Sequence, residues 1–335
     1  MNNEKIVGLP TNIITGFLGV GKTSAILHLL KQKPANERWA ILVNEFGEIG
    51  VDGSLIAGQV GLNKDIFIRE VPGGCMCCAS GLPMQIALNQ LLHEAKPHRL
   101  LIEPTGLGHP LEVMQVLSNQ YYQKALSIEK TITLVDARKL TDSRYSENLI
   151  FNQQIEIADT IVGSKLDLYQ ASDQAALITY LKAQPFPAKE ILFIEHGQLS
   201  LNTLFGNTLH KIAAKSHHHD HDHEDEHSSA TDTVSFPQSG FIKAVNEGEG
   251  FQSIGWRFMP DKVFDRKKLI AFLTRINVTR VKAVFITSQG VYGYNTADDG
   301  VVELELDECS ESRIEIICPQ TQGTWEKELL ACLYS

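Results

Sequence analysis

The 335-residue sequence lacks long hydrophobic runs and an excess of positive charge. Its apolar stretches stop well short of the roughly 18 residues that a membrane-spanning helix needs, so we expect no membrane anchor. It has 30 Lys and Arg against 40 Asp and Glu, a formal net charge of −10, which argues against a nucleic-acid binder with a basic face. Residues 1–5 are polar and show no apolar signal-peptide core, so the expected location is the cytoplasm.

The cysteines are unevenly distributed along the chain. Three of the six cysteines, Cys75, Cys77 and Cys78, crowd behind two glycines. In a cytoplasmic chain this crowding indicates metal or redox chemistry more than a structural disulfide. Zinc prefers thiolates in a tetrahedron, so a fourth position is left for a carboxylate, a water or a receiving protein. A redox pair or inert thiols are the alternatives. The other cysteines share no ligand-like spacing and are predicted to be buried thiols: Cys309, Cys318 and Cys332.

Residues 16–23 read GFLGVGKT and fit the phosphate-loop template of a Gly, four free positions, Gly-Lys and Ser or Thr. A short apolar strand precedes them and a helical pattern follows. The glycines let the backbone approach an anion, and the helix N-terminus faces the phosphates. Lys22 would bind the β- and γ-phosphates, and the Thr23 hydroxyl would bind magnesium. The predicted nucleotide-binding residues of this loop are Gly16, Phe17, Leu18, Gly19, Val20, Gly21, Lys22 and Thr23.

A second nucleotide motif follows the predicted strand 99–102. Glu103 and, three residues on, Gly106 match the acid and glycine that phosphate-loop GTPases carry at a strand end, where most have Asp at the first position. We expect the Glu103 carboxylate near magnesium and the Gly106 N–H at the γ-phosphate. Lys22, Thr23 and Glu103 are therefore the predicted catalytic residues, in a magnesium-dependent reaction.

The segment Ser164-Lys165-Leu166-Asp167 resembles the guanine-reading pattern Asn-Lys-x-Asp, with Ser164 in place of Asn. Asp167 would accept two hydrogen bonds from guanine, and Lys165 would lie along the face of the ring. A site built on such bonds rejects adenine, because the wrong base leaves a polar group unpaired. The sequence therefore favours GTP over ATP.

Two acidic segments complete the list of candidate metal ligands. Residues 44–52 carry three acids and two glycines, which suits a switch loop near magnesium or an ordinary solvated turn; Glu45 and Glu48 are the carboxylates nearest to the cysteines by motif. Residues 217–227 read HHHDHDHEDEH, a metal-collecting composition that cannot form an apolar core. The alternative is an acidic linker with incidental histidines. The candidate ligands in this tract are His217, His218, His219, His221, His223 and His227.

Strand and helix patterns alternate to about residue 195, which predicts an α/β fold with a mainly parallel sheet covered by helices. Ligands of such sheets gather at the carboxyl ends of the strands, where each motif above falls. We expect a GTPase domain at 1–205, a flexible linker at 206–236 and a small α+β domain at 237–335. The last shows no catalytic constellation and is interpreted as a partner or effector surface.

The four segments GFLGVGKT, NEFGEIGVD, GGCMCC and EPTGLGHP, in that order, closely resemble the CobW-type GTPases and, within them, a zinc-binding branch. The resemblance implies a metallochaperone in which hydrolysis of GTP to GDP and phosphate is coupled to delivery of zinc to a client protein. It also implies an internal metal site at Cys75, Cys77 and Cys78, with Glu48 as a further candidate ligand. A metal- or nucleotide-dependent homo-oligomer fits this picture.

Two other functions stay open at the level of the sequence. One keeps the fold and changes the metal, giving a chaperone for cobalt or nickel. The other is a non-catalytic zinc buffer or regulatory nucleotide-binding module, whose zinc binding would ignore the nucleotide.

Overall fold

The computed structural model describes residues 5–44, 56, 64–71, 82–210, 236–248, 251–297, 300–306 and 309–334. Its secondary structure is organised around two sheets, one parallel and one antiparallel. The predicted cysteine site at 75–78, Glu45 and Glu48, and the histidine tract at 217–227 lie outside the described residues. Among the described helices, none has the length and apolarity needed to cross a bilayer.

The first sheet is formed by apolar segments that the sequence marks as strands. Their bounds are β1 (Leu9–Gly16), β2 (Trp39–Asn44), β3 (Ile66–Val71), β4 (Arg99–Glu103), β5 (Leu126–Val135), β6 (Thr160–Gly163) and β7 (Glu190–Phe193). All are parallel and lie in the order β3-β2-β4-β1-β5-β6-β7. This confirms the predicted α/β class and brings the carboxyl ends of β1, β4 and β6 to one edge.

Helices cover both faces of this sheet, because successive strand residues point to opposite sides. The helices are α1 (Lys22–Lys31), α2 (Leu82–Ala95), α3 (Pro110–Leu117), α4 (Ser143–Ser146), α5 (Leu149–Glu156) and α6 (Asp173–Lys182). Ile14 of β1 belongs to the core with α1 and α5, whereas its neighbour Ile13 belongs to the core with α2 and α3. α1 begins at Lys22, inside the phosphate-loop motif.

The second sheet is antiparallel, in the order β12-β11-β10-β13-β9-β8. Its strands are β8 (Phe241–Gly248), β9 (Phe251–Phe258), β10 (Arg280–Thr287), β11 (Gly290–Ala297), β12 (Gly300–Leu306) and β13 (Ser312–Cys318). α7 (Arg266–Arg275) and α8 (Trp325–Leu330) pack on one face. Asp265 caps α7, since its Oδ1 accepts from the Lys268 N–H at 3.1 Å.

The other face of the second sheet lies against the parallel-sheet domain. Ile317 of β13 is part of the core that contains α1, and Phe251 of β9 packs against the same core. Arg313 of β13 forms an ion pair with Glu70 of β3 at 3.3 Å. The antiparallel sheet therefore has helices on one face and contacts the first domain with part of the other face, through β9 and β13.

Candidate nucleotide site

The loop between β1 and α1 has the backbone conformation of an anion cradle. Gly16, Gly19 and Gly21 have φ values of 140°, 72° and 95°, a region that side-chain-bearing residues rarely adopt. At Gly16 a Cβ would also lie 2.5 Å from the carbonyl oxygen of Leu134. The backbone conformation therefore requires glycine at these positions. The loop leads directly into α1, whose N-terminus lies at the carboxyl edge of the sheet.

The apolar side chains of the loop pack into the core and hold the loop in place. Phe17, Leu18 and Val20 are at most 4% exposed and belong to the core around α1. The Phe17 ring meets that of Tyr145 edge-on, with centroids 5.0 Å apart. Because their side chains are buried, these residues have only their backbone groups available for a nucleotide.

Lys22 lies over the loop and is buried. Its Nζ donates to the carbonyl oxygens of Gly16 at 2.9 Å and Phe17 at 3.3 Å. Burial, and next the charge of Arg280, lower its pKa to about 7, while Glu103 acts in the opposite direction. A phosphate at the cradle would favour the ammonium form, because an opposite charge stabilises it.

Thr23 and Glu103 meet at the other side of the cradle. The Thr23 hydroxyl donates to Glu103 Oε1 at 3.2 Å. The second carboxylate oxygen, Oε2, is buried and has no hydrogen-bond partner among the described residues. Burial raises the pKa of Glu103, against the lowering effect of Lys22. A hydroxyl and a buried, unsatisfied carboxylate oxygen are hard ligands that fit Mg²⁺, held directly or through water.

Gly106 lies against the phosphate loop. A Cβ there would lie 2.9 Å from Leu18 Cδ2, 3.0 Å from the Leu18 nitrogen and 3.1 Å from the Phe17 carbonyl carbon. The Gly106 carbonyl accepts from Gln154 Nε2 at 3.1 Å. The second motif is therefore packed directly on the first, as the sequence predicts from their positions at strand ends.

The candidate guanine motif lies at the same sheet edge, after β6. Ser164 is buried and its hydroxyl donates to the carbonyl of Val135 at 3.4 Å. Lys165 has a left-handed φ of 59°. Asp167 is partly exposed, and its Oδ2 lies 3.7 Å from His196 Nδ1. The Asp167 carboxylate is therefore near the surface, where it can accept from a base.

Sequence reasoning missed two contributions to this region. Gly197 follows β7 with a φ of 73°, and a Cβ there would be 2.9 Å from Ser24 in the first turn of α1. A lone glycine four residues after the end of β7 gives only a weak signal in the sequence. The larger omission is Lys282 of β10, whose Nζ donates to the Thr23 hydroxyl at 3.0 Å. The C-terminal domain, predicted to carry no chemistry, reaches the nucleotide site.

The described cysteines do not resemble metal ligands. Cys318 and Cys332 are buried, Cys309 is half-buried, and all are free thiols. Burial raises the pKa of Cys309 and Cys332 to about 11 and raises that of Cys318, which disfavours the thiolate that a metal needs. In the part of the chain that the structure describes, His, Cys, Asp and Glu form no cluster able to hold a metal ion.

Comparisons with known proteins agree with this geometry. Residues 10–192 match the family model for the CobW/HypB/UreG nucleotide-binding domain. Over 319 residues the chain is 40% identical to the zinc chaperone YeiR of Escherichia coli (strain K12), covering 94% of each protein. It is 29% identical over 238 residues to the zinc chaperone CobW of a Sinorhizobium species, covering 63% of this chain and 67% of that protein.

Among solved structures, the Zn(II)-bound YjiA GTPase from E. coli aligns over 99% of both chains, with 19% identity and a TM-score of 0.44. The family model spans more than half of the chain, and the identity to YeiR extends over nearly all of it. The chain therefore belongs to the CobW/HypB/UreG family of nucleotide-binding proteins.

Proposed function

We propose that this protein is a zinc-binding GTPase that acts as a metallochaperone, coupling GTP + H₂O → GDP + phosphate to the transfer of zinc to a client protein. The GTPase assignment depends above all on the convergence of Lys22, Thr23 and Glu103 at one corner of the glycine cradle, where Lys22 and Glu103 are buried. Two relatives that carry the name zinc chaperone support the metal assignment.

The residues of the corner take complementary roles in this reaction. Lys22 would bind the β- and γ-phosphates, and the cradle N–H groups would bind the remaining phosphate oxygens. Thr23 and Glu103 would hold Mg²⁺, which supplies charge neutralisation to the phosphates when bound. Asp167 and Lys165 would select guanine, and the Gly106 N–H would contact the γ-phosphate.

Chain geometry supports a zinc site close to this corner. At the carboxyl edge of the sheet, Val43 of β2 pairs with Glu103 of β4, and the next residue, Asn44, pairs with Val71 of β3. Cys75 is four residues beyond Val71, and four residues span at most about 14 Å. The segment with the proposed ligands Cys75, Cys77 and Cys78 therefore follows a strand that ends at the same edge of the sheet as β4, with only β2 between the two strands.

The affinities for zinc and for nucleotide would be coupled if both ligands favour the same conformation of the segments that bind them. Couplings of this type are typically about 1–3 kcal/mol and act equally in both directions. Glu48 would add a ligand from the acidic loop after β2. The histidine tract from His217 to His227 would raise the local zinc supply. Because GTP is the substrate, we place the protein in the cytoplasm. The proposal also includes the domain boundaries expected from the sequence and a metal- or nucleotide-dependent homo-oligomer.

Two matched pairs of variants test the two halves of the proposal. Lys22→Ala removes the phosphate-binding ammonium and is expected to abolish GTP turnover, whereas Lys31→Ala, exposed at the end of the same helix, is expected to leave it unchanged. Cys77→Ser is expected to weaken zinc binding at least tenfold in a competition titration against a chelator, with Cys309→Ser as the control.

The outcomes separate the competing functions. Turnover that survives in Lys22→Ala would remove the phosphate-loop assignment. Equal zinc affinity in Cys77→Ser and wild type would move the metal site elsewhere. Cobalt or nickel in protein purified without added metal would change the cargo and leave the GTPase assignment intact.

A further inference from the structure

The β10 strand of the C-terminal domain has two chemically different faces. Val281, Ala283 and Phe285 are fully buried in the core formed with α7 and α8. Arg280 and Lys282 alternate with them along the strand, so their side chains point to the opposite face. They are only 8% and 4% exposed. Two buried cations on one strand face need a polar environment, because an isolated buried charge is costly.

Part of that environment is the Glu315 carboxyl, which lies close enough for both charges to act on it, and part is the nucleotide corner of the first domain. Lys282 Nζ donates to the Thr23 hydroxyl at 3.0 Å. Arg280 lies close enough for its charge to lower the pKa of both Lys22 and Glu103. The contact joins residues 259 positions apart in the chain. The basic face of β10 is thus inserted beside the phosphate loop.

Neighbouring contacts hold this face in position. Ile317, paired with Arg280 across the sheet, packs in the core that contains α1. Glu315, paired with Lys282, is buried and accepts from the Ser253 hydroxyl at 2.7 Å. These contacts fix the backbone of β10 at Lys282, and the Lys282 side chain adds its own bond to Thr23.

The single hydroxyl of Thr23 is a ligand for two cations, the Lys282 ammonium and the proposed Mg²⁺. That hydroxyl donates its proton to Glu103 and accepts from Lys282, so the oxygen that Lys282 contacts is also the one that Mg²⁺ would use. Two cations placed a few ångströms apart in a buried site repel each other far more strongly than in water. The ammonium and the metal are therefore alternative occupants of this corner.

We propose that Lys282, supplied by the C-terminal domain, is a positioning residue of the nucleotide site. Its ammonium group donates to the Thr23 hydroxyl where Mg²⁺ would otherwise bind, and it must be displaced when Mg²⁺ binds with the nucleotide. The inference rests on the proposed role of Thr23 as magnesium ligand. Binding of Mg²⁺ and nucleotide to the first domain would then break the contact between Lys282 and Thr23, which joins the two domains.

The test measures how much Mg²⁺ strengthens GDP binding, as the ratio of the Kd in EDTA to the Kd in saturating Mg²⁺. Lys282→Met removes the competing cation, so this ratio is expected to rise at least tenfold. Lys282→Arg keeps the charge, and its ratio is expected to stay within threefold of wild type. Lys267→Met, an exposed lysine on α7, is the control and is expected to leave the ratio unchanged.

A merely structural role for Lys282 would change both dissociation constants together and leave the ratio unchanged, which would overturn the inference. A smaller ratio in Lys282→Met would overturn it as well, since Lys282 would then assist the metal. Should the methionine variant not fold, Lys282→Gln is measured in the same way, and its ratio must also rise. Failure of wild type to bind GDP would instead overturn the proposed function.

Discussion

Replacing Gly106 with alanine tests whether the second motif is packed on the phosphate loop. The new Cβ would lie 2.9–3.1 Å from three atoms of Phe17 and Leu18, two of which belong to the backbone. The Leu18 side chain can rotate, whereas the Leu18 nitrogen and the Phe17 carbonyl carbon move only if the loop moves. Overpacking of this kind typically costs about 1–3 kcal/mol.

We expect this cost to appear in nucleotide binding, because the displaced backbone carries the N–H groups that face the phosphates. A factor of ten in Kd corresponds to about 1.4 kcal/mol, so the Kd for GDP is expected to rise roughly five- to 150-fold. The assay is titration with a fluorescent GDP analogue, with urea unfolding followed in parallel.

The matched control is Gly323→Ala in the C-terminal domain, where a Cβ meets no atom within 4 Å. It is expected to leave both the Kd and the free energy of unfolding within the small range of neutral surface changes. The reasoning would be refuted if Gly106→Ala bound GDP as tightly as wild type and was equally stable.

Two further variants test the base site and the C-terminal domain. Asp167→Ala is expected to raise the Kd for GDP by about tenfold or more, since hydrogen bonds to a charged group are worth about 1.5–3 kcal/mol, and to leave weak ADP binding unchanged; an equal effect on both nucleotides would contradict guanine recognition by Asp167. In the C-terminal domain, a hydrogen bond from Arg266 lowers the pKa of Glu303 from 4.5. The stabilisation from this pair is therefore complete above pH 4.5 and is lost as the pH falls through the lower folded value. The gap in unfolding free energy between wild type and Glu303→Gln is expected to narrow on acidification, and a gap independent of pH would contradict this assignment.

The parallel sheet and the phosphate loop could be predicted because their signals are local. Residues such as Ile13 and Ile14 lie in a short apolar run, and Gly16, Gly19 and Gly21 occupy positions where the backbone requires φ values that other residues avoid. Glu103 is the last residue of β4 and Gly106 follows three residues later, so these two positions are also marked by a local pattern. Short patterns of this type constrain local conformation directly, so strand position and loop type follow from them.

The role of Lys282 could not be predicted in this way. The alternation Arg280-Val281-Lys282-Ala283 indicates a strand with one apolar face, and a polar face on such a strand is ordinarily solvated. The structure places the first domain over it, which buries both cations. Packing between two domains depends on the shape of both surfaces, and no spacing within either segment encodes it. The C-terminal domain thus contacts Thr23 of the phosphate-loop motif, which its own sequence does not indicate.

The most direct test of the central claim compares zinc affinity in two nucleotide states of the wild-type protein. Competition titrations with a chelating dye are carried out in saturating GDP and in a non-hydrolysable GTP analogue, each with Mg²⁺. If GTP hydrolysis is coupled to zinc release, the two zinc dissociation constants are expected to differ by at least about fivefold, the lower end of typical allosteric couplings. Identical zinc affinities in the two states would contradict the coupling of hydrolysis to zinc delivery.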